Sequence, residues 1–455
     1  MPFRKVFFWL HLIAGLAAGL VILVMSATGV ALAFEDEIVA WAERDVRRVE
    51  PPSRTASSPG NAELQLGSVT APLPLDTLLT RAREALASSA SPKEGEPSVA
   101  SVKEGPRVTG ITVSADLREA VAVNFGRETG VYYVNPYTGQ VSTATTTRTH
   151  DFLQLMLEWH RFLARTGEQR PVGKAVTGAC NLAFLFLAVS GLWLWWPRAW
   201  NRRVLRPSLW FVRGASGRAR DWNWHNVVGF WSLPVLIVLT ISGAVIGYRW
   251  AGDLVYRAAG ETPPATRPSA SPGNAELQLG SSPATPAIER PEGVKKLTYA
   301  AALARIQAEV PGWQTITLRE GLAPRRAAPV TTLSPGNAEL QLGSVSSAAS
   351  APERPRAPQP YSATIKADDN APAFATTTIV LNPYTGEVLS RTGYADQTTG
   401  RKARSWLRYL HTGQALGWPG QLLAGLASVG GCLLVYTGFA LSWRRFFGRK
   451  SFPST

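Results

Sequence analysis

Residues 7–34 read FFWLHLIAGLAAGLVILVMSATGVALAF. The run is almost wholly apolar and is long enough to cross a bilayer with some tilt. One ionisable side chain sits inside it, His11. The same plan returns at residues 222–248, WNWHNVVGFWSLPVLIVLTISGAVIGY. Laid over one another, His11 meets His225, Gly15 meets Gly229, Ser26 meets Thr240, Gly29 meets Gly243 and Phe34 meets Tyr248. Two membrane helices built to one pattern, each with a histidine near its first turn, raise the question of what the histidines hold.

Working outward, four apolar spans are expected, near 6–34, 172–196, 223–250 and 421–443. The formal net charge is +15, and its placement matters more than its size. The connector 197–220 carries Arg198, Arg202, Arg203, Arg206, Arg213, Arg218 and Arg220 and no acid. Arg4 and Lys5 precede the first span, and Arg444, Arg445, Arg449 and Lys450 follow the last. Short basic loops stay in the cytoplasm, so both termini and the connector are expected inside and the two long segments, 35–150 and 251–400, outside. Topology accounts for the positive charge, and no nucleic-acid partner is expected. The first apolar run exceeds the core of a signal peptide and is expected to be a retained helix. Both cysteines, Cys180 and Cys432, fall within spans, which leaves no disulfide or cysteine metal site for the outer segments.

Each outer segment reads as a small α+β unit, a helix packed on antiparallel strands. In the first, a helix is expected over 73–87 and strands over 107–114, 119–124 and 131–134, closed by Asn135-Pro-Tyr-Thr-Gly139. In the second, a helix is expected over 297–310 and strands over 315–319, 362–366 and 376–381, closed by Asn382-Pro-Tyr-Thr-Gly386. Asn135 precedes Gly191 by the same interval that separates Asn382 from Gly438, so the chain reads as two pseudo-repeats of span, outer unit, span. Such duplication builds paired sites at the repeat interface. A different repeat, SPGNAELQLGS, stands at 58–68, 271–281 and 334–344 and reads as inserted loop sequence. Trp313, Tyr132 and Tyr133 are expected in the core rather than a pocket.

The histidines number five. His11 and His225 open the first and third spans on the inner side. His160 and His411 precede the second and fourth on the outer side, each followed by a break: Pro171 and Gly173, or Gly417, Pro419 and Gly420. Without a gap the outer pair aligns four residues apart; a four-residue gap brings them into direct register. Ionisable groups at membrane depth are costly and mark function. Opposed imidazoles on neighbouring helices suit axial ligation of haem iron. On that reading His11 and His225 hold one haem inward, and His160 and His411 a second outward. Gly15, Gly19, Gly29, Gly229 and Gly243 would admit its flat face, and Arg161 and Arg408 would pair with its propionates. Zinc is the other metal to weigh, and it wants three or four clustered ligands. His150 is a weaker candidate on another helical face.

These motifs resemble a known family. NPYTG closing a helix-and-strands unit resembles the PepSY domain. FWLHLIAG, WNWHNVVG, SGLWLWWPR and the run from Tyr248 to Tyr256, YRWAGDLVY, resemble PepSY-associated transmembrane proteins. The resemblance covers most of the chain; it departs at the three inserts and at Arg249, where proline is more usual. It implies a multi-pass protein of the bacterial inner (cytoplasmic) membrane, of an iron-regulated kind whose members include di-haem reductases of periplasmic ferric siderophores. The expected fold is an α-helical membrane protein with a periplasmic PepSY-like unit in each repeat. The expected division is a first membrane helix over 1–35, a periplasmic unit over 36–150, an interfacial segment and second helix over 151–199 and a basic cytoplasmic loop over 200–221. A third helix over 222–251, a second periplasmic unit over 252–400, and an interfacial segment, fourth helix and cytoplasmic tail over 401–455 complete it. The expected cofactor is haem b, twice. The expected partners are the lipid bilayer, a ferric siderophore as substrate, and a membrane quinol or separate reductase as donor, because no GxGxxG follows a strand. Two other readings fit a PepSY membrane protein: a non-catalytic scaffold regulating a periplasmic peptidase, and an iron or siderophore transporter.

Overall fold

The computed structural model describes residues 2–51, 71–89, 108–126, 130–143, 147–197, 199–264, 293–320, 358–367 and 372–447, with 288, 290 and 291. The three SPGNAELQLGS inserts lie outside the described residues. Apolar runs without charge become long helices because a helix satisfies all its own backbone groups. Helix α1 (Pro2–Ala33) is the first of these. Two short helices follow, α2 (Glu35–Ala42) and α3 (Arg44–Arg47). The first outer unit is α4 (Leu75–Ser89) with β1 (Gly110–Ser114), β2 (Val121–Asn124), β3 (Val131–Val134) and β4 (Val141–Thr143). Then come α5 (Thr147–Phe162), α6 (Arg170–Trp195), α7 (Arg202–Leu209), α8 (Gly217–Gly247) and α9 (Arg249–Ala258). The second unit is α10 (Tyr299–Glu309) with β5 (Trp313–Glu320), β6 (Tyr361–Ala367), β7 (Thr377–Leu381) and β8 (Val388–Thr392). Helices α11 (Thr399–Thr412) and α12 (Gly417–Phe447) close the chain.

Four helical stretches, Phe3–Ala33, Gly167–Trp195, Gly217–Gly247 and Gln414–Phe447, are long and apolar enough to cross a membrane. Each expected span is present, extended mostly at its polar ends, where an apolar count alone stops short. The four long helices form a ring in which α1 packs on α6 and α12, and α8 packs on the same two, so α1 and α8 are diagonal neighbours. Helix α5 lies against α1 and α6, and α11 against α8 and α9. One end of the bundle is basic. There the Arg4 guanidinium donates to the Leu194 carbonyl at 2.6 Å, and Asp221 accepts from Arg220 at 2.8 Å and from Arg444 at 3.1 Å. Asp221 is 1% exposed. The third span helix starts earlier than hydropathy suggests and carries Asp221 inside, held by two guanidiniums.

At the other end sits the sheet. The expectation of a separate α+β unit in each outer segment is also revised. All eight strands form one antiparallel sheet, ordered β4-β3-β2-β1-β5-β6-β7-β8. The halves join where β1 pairs with β5, Thr112 opposite Thr317. Neither four-stranded half then exposes β1 or β5 as an open edge, the arrangement that invites unwanted pairing. β4 and β8 escaped the sequence reading because they are short and not strongly apolar. Helices α4 and α10 cover one face, with Leu78, Leu79, Ala302 and Ile306 packed on Ile111, Val123, Val134, Ile316, Leu318, Ile365 and Ile379. Tyr132 belongs to this core, and Trp313 packs against it, as expected.

The two NPYTG turns do the same work. The Asn135 side chain accepts from the Tyr137 and Thr138 amides at 2.9 and 3.2 Å, and Gly139 takes φ +71°. The Pro136 carbonyl, free to face outward, accepts from the Leu73 amide at 2.7 Å and so ties the turn to the start of α4. Asn382, Gly386 and Pro383 repeat these contacts, the last with Leu297 at 2.8 Å.

Candidate functional site

Four histidines reach the bundle interior, and each docks in the same way. His11 on α1 meets Ser190 of α6, its Nδ1 at 2.8 Å from the hydroxyl. His225 on α8 meets Thr437 of α12 at 2.9 Å. At the sheet end, His160 on α5 meets Thr28 of α1 at 3.1 Å, and His411 on α11 meets Ser242 of α8 at 3.0 Å. The residue after each hydroxyl is glycine, and it makes room for the ring. A Cβ built at Gly191 would lie 3.4 Å from His11 Cε1, at Gly438 3.7 Å from His225, at Gly29 3.5 Å from His160 and at Gly243 3.2 Å from His411. A hydroxyl to hold the ring and a missing side chain to seat it therefore come as one dipeptide, Ser/Thr-Gly, in every long helix.

The pairs face one another across the bundle. His11 and His225 come from the diagonal helices α1 and α8, within electrostatic reach of each other. His160 and His411 dock on those same two helices, and their ring centroids are 6.3 Å apart at an interplanar angle of 65°. Thr28 lies 17 residues after His11, and Ser242 17 after His225, so the two levels are separated by about 25 Å of helix. This is most of the thickness of a hydrocarbon core, about 30 Å.

The geometry fits a metal held by two imidazoles. The hydrogen bonds of all four rings are made at Nδ1, which leaves Nε2 for a ligand. At the sheet end the two rings, with centroids 6.3 Å apart, would be the residues to hold one metal between them. Among the described residues no three His, Cys, Asp or Glu side chains gather as zinc would require.

Other candidates are placed elsewhere. Of the five glycines, Gly29 and Gly243 meet histidines, and Gly15, Gly19 and Gly229 face Leu187, Phe439 and Leu434. Arg161 stacks on Phe162 at 5.0 Å and Arg408 lies over Tyr409 at 5.9 Å, one residue after His160 and three before His411 respectively. His150 does not join the interior. Its Nε2 lies 2.8 Å from Glu43, a carboxylate 4% exposed that also accepts from the Tyr133 hydroxyl at 2.8 Å. Tyr133 is thus buried without belonging to the sheet's helix-covered core. Burial, then the Glu43 carboxylate, pushes its phenol above the ordinary range. Arg249 opens α9 and pairs with Asp253 at 3.5 Å.

The two competing alignments of His160 and His411 are resolved by the knuckles that follow them. A Cβ at Gly173 would sit 2.1 Å from the carbonyl oxygen of Phe162, and one at Gly420 2.2 Å from that of Gly413. Each glycine abuts the residue two after its histidine, so the histidines correspond directly and the gap lies in the knuckle. What the sequence reading missed is the four hydroxyls. Glycines 29, 191, 243 and 438 stand out in the sequence singly, whereas Thr28, Ser190, Ser242 and Thr437 before them do not. The signal was there: a Ser/Thr-Gly pair in every span.

No curated protein matches the chain. Residues 8–445 match a family described as the PepSY-associated TM region, which is nearly the whole chain. The chain belongs to that family.

Proposed function

We propose that this member of the PepSY-associated transmembrane family is a haem-binding oxidoreductase that passes electrons across the bacterial inner membrane to a periplasmic ferric siderophore. The observation that carries the reading is the set of four Nδ1-docked histidines, paired across the bundle at two depths, with Nε2 left for a metal. Haem b supplies a one-electron carrier when bound. His11 and His225 would hold one group at the basic end, and His160 and His411 the other beneath the sheet. Arg161 and Arg408 would pair with propionates there. The apolar ring of helices excludes water from both levels and orients the ligand rings. Beneath the sheet, one electron reduces Fe(III) to Fe(II), which hard oxygen donors hold less tightly, and the metal is released. The donor would be a membrane quinol or a separate reductase.

The basic end supports an orientation with both termini and the 197–220 connector in the cytoplasm and the sheet in the periplasm. A PepSY scaffold restraining a peptidase assigns the histidines no task, and an iron or siderophore transporter needs no fixed pair of imidazoles. Haem separates the readings. The detergent-purified protein is expected to show the sharp reduced bands of low-spin b-type haem after dithionite, about two groups per chain. His160→Ala and His11→Ala are each expected to lose about half of the signal. A protein that stays colourless after haem loading refutes the oxidoreductase.

A further inference from the structure

Histidine can ligate a metal through either nitrogen, and the hydrogen bond at the other decides which. A hydroxyl beside Nδ1 is ambiguous by itself, because it can donate or accept. The helix removes the ambiguity. The Thr28 hydroxyl lies 2.7 Å from the Val24 carbonyl, Ser242 2.6 Å from Val238, and Thr437 2.7 Å from Leu433. A carbonyl only accepts, so each of these hydroxyls donates its proton along its own helix and offers a lone pair to the histidine. Nδ1 must then carry hydrogen, and Nε2 is left bare.

The lock is not equally strong at all four positions. At the sheet end, Nδ1 of His160 also lies 2.9 Å from the Met25 carbonyl, and that of His411 2.9 Å from Leu239. Each carbonyl stands three residues before the docking hydroxyl. His225 is docked on Thr437, whose own bond along the helix is short, at 2.7 Å. Among the described residues His11 has the Ser190 hydroxyl only, and that hydroxyl's own bond along the helix, to Leu187, is 3.4 Å.

We propose that Thr28, Ser190, Ser242 and Thr437 are positioning residues that fix the Nε2-ligating tautomer of the four histidines, with a carbonyl backing His160 and His411 and Ser190 holding His11 alone. The proposal rests on the haem reading for its consequence and on the hydrogen bonds for its cause. A donated Nδ1 hydrogen raises ligand basicity and so favours ferric over ferrous iron. The four positions should therefore differ in sensitivity. Ser190→Ala removes the sole partner of His11, whereas Thr28→Val leaves Met25 in place for His160.

The test has two readouts. In the isolated protein labelled with ¹⁵N-histidine, without added haem, four of the five rings are expected as the Nδ1–H tautomer. In Ser190→Ala the His11 ring is expected as a mixture, and Ser190→Thr is expected to restore it. In the haem-loaded protein, Ser190→Ala is expected to raise one of two midpoint potentials and weaken haem retention several-fold. Ser190→Thr is expected to return both, and Thr28→Val to move its potential less. An unchanged His11 tautomer in Ser190→Ala, or no rescue by threonine, overturns the proposal. A protein with the expected tautomers that binds no haem refutes the oxidoreductase while leaving the lock intact.

Discussion

Tyr133 shows how far one side chain can act as a joint. Its hydroxyl donates to Glu43, which stands just beyond the first long helix, so a strand of the sheet is tied to the bundle through a buried carboxylate. The same carboxylate lies 2.8 Å from His150 Nε2 and 3.8 Å from the Arg47 guanidinium. Tyr133→Phe is expected to cost about 2 kcal/mol, the scale of a hydrogen bond to a charged group. The pH dependence has a definite sign. Because the folded phenol holds its proton more tightly than the unfolded one, its contribution is complete below about pH 10, the ordinary tyrosine value. It is lost as pH rises past that value toward the raised one. Melting curves of wild type and Tyr133→Phe should therefore differ at pH 8 and converge above pH 10. A gap that does not change with pH would mean that the phenol and Glu43 do not communicate.

At the scale of elements, the knuckles between α5 and α6 and between α11 and α12 decide where two histidines sit. Backbone packs on backbone there, with no room for a methyl at Gly173 or Gly420. The Thr177 hydroxyl fastens the first knuckle, donating to the Arg161 carbonyl at 2.8 Å. Gly173→Ala and Gly420→Ala are expected to destabilise by about 3 kcal/mol or more, as forced overpacking does. Gly247→Ala, where a Cβ meets nothing within 4 Å, is the control and should be neutral or slightly stabilising. Equal melting temperatures for all three would show that the knuckles relax freely. Much of this level was legible: the spans, both NPYTG turns, and six of eight strands were readable from periodicity and turn chemistry. The knuckles were legible only as breaks, because a contact between Gly173 and the carbonyl of Phe162 has no signature in residue type.

For the whole molecule, the placement of charge is expected to set the orientation in the bilayer. Arg4, Arg220, Arg444 and Arg445 gather at one end, with exposed Trp193, Trp196, Trp210 and Trp443 around them as an interfacial belt. In a Cys180→Ser, Cys432→Ser background, Thr364→Cys on the sheet is expected to react with a membrane-impermeant thiol reagent in intact spheroplasts. Ser216→Cys at the basic end should react only after lysis. The opposite pattern would invert the topology and place the sheet in the cytoplasm. The single sheet matters at this scale too, since it bridges both halves of the chain above His160 and His411.

Read alone, the sequence determined the four spans, their basic end, the helix-and-strand content of the outer segments and the four histidines worth testing. Each of these is written in local composition or period, which a single chain displays directly. Only the tertiary structure decided that β1 pairs with β5, that Asp221 is buried between two arginines, and that Gly29 and Gly243 are the glycines beside His160 and His411. It alone showed that each histidine is held at Nδ1 by the hydroxyl of another helix. These are agreements between residues far apart in the chain: Ser190 with His11, Thr437 with His225, Thr112 with Thr317. Hydrophobic burial and backbone pairing choose such partners from the whole assembled surface, and no stretch of sequence carries that choice by itself.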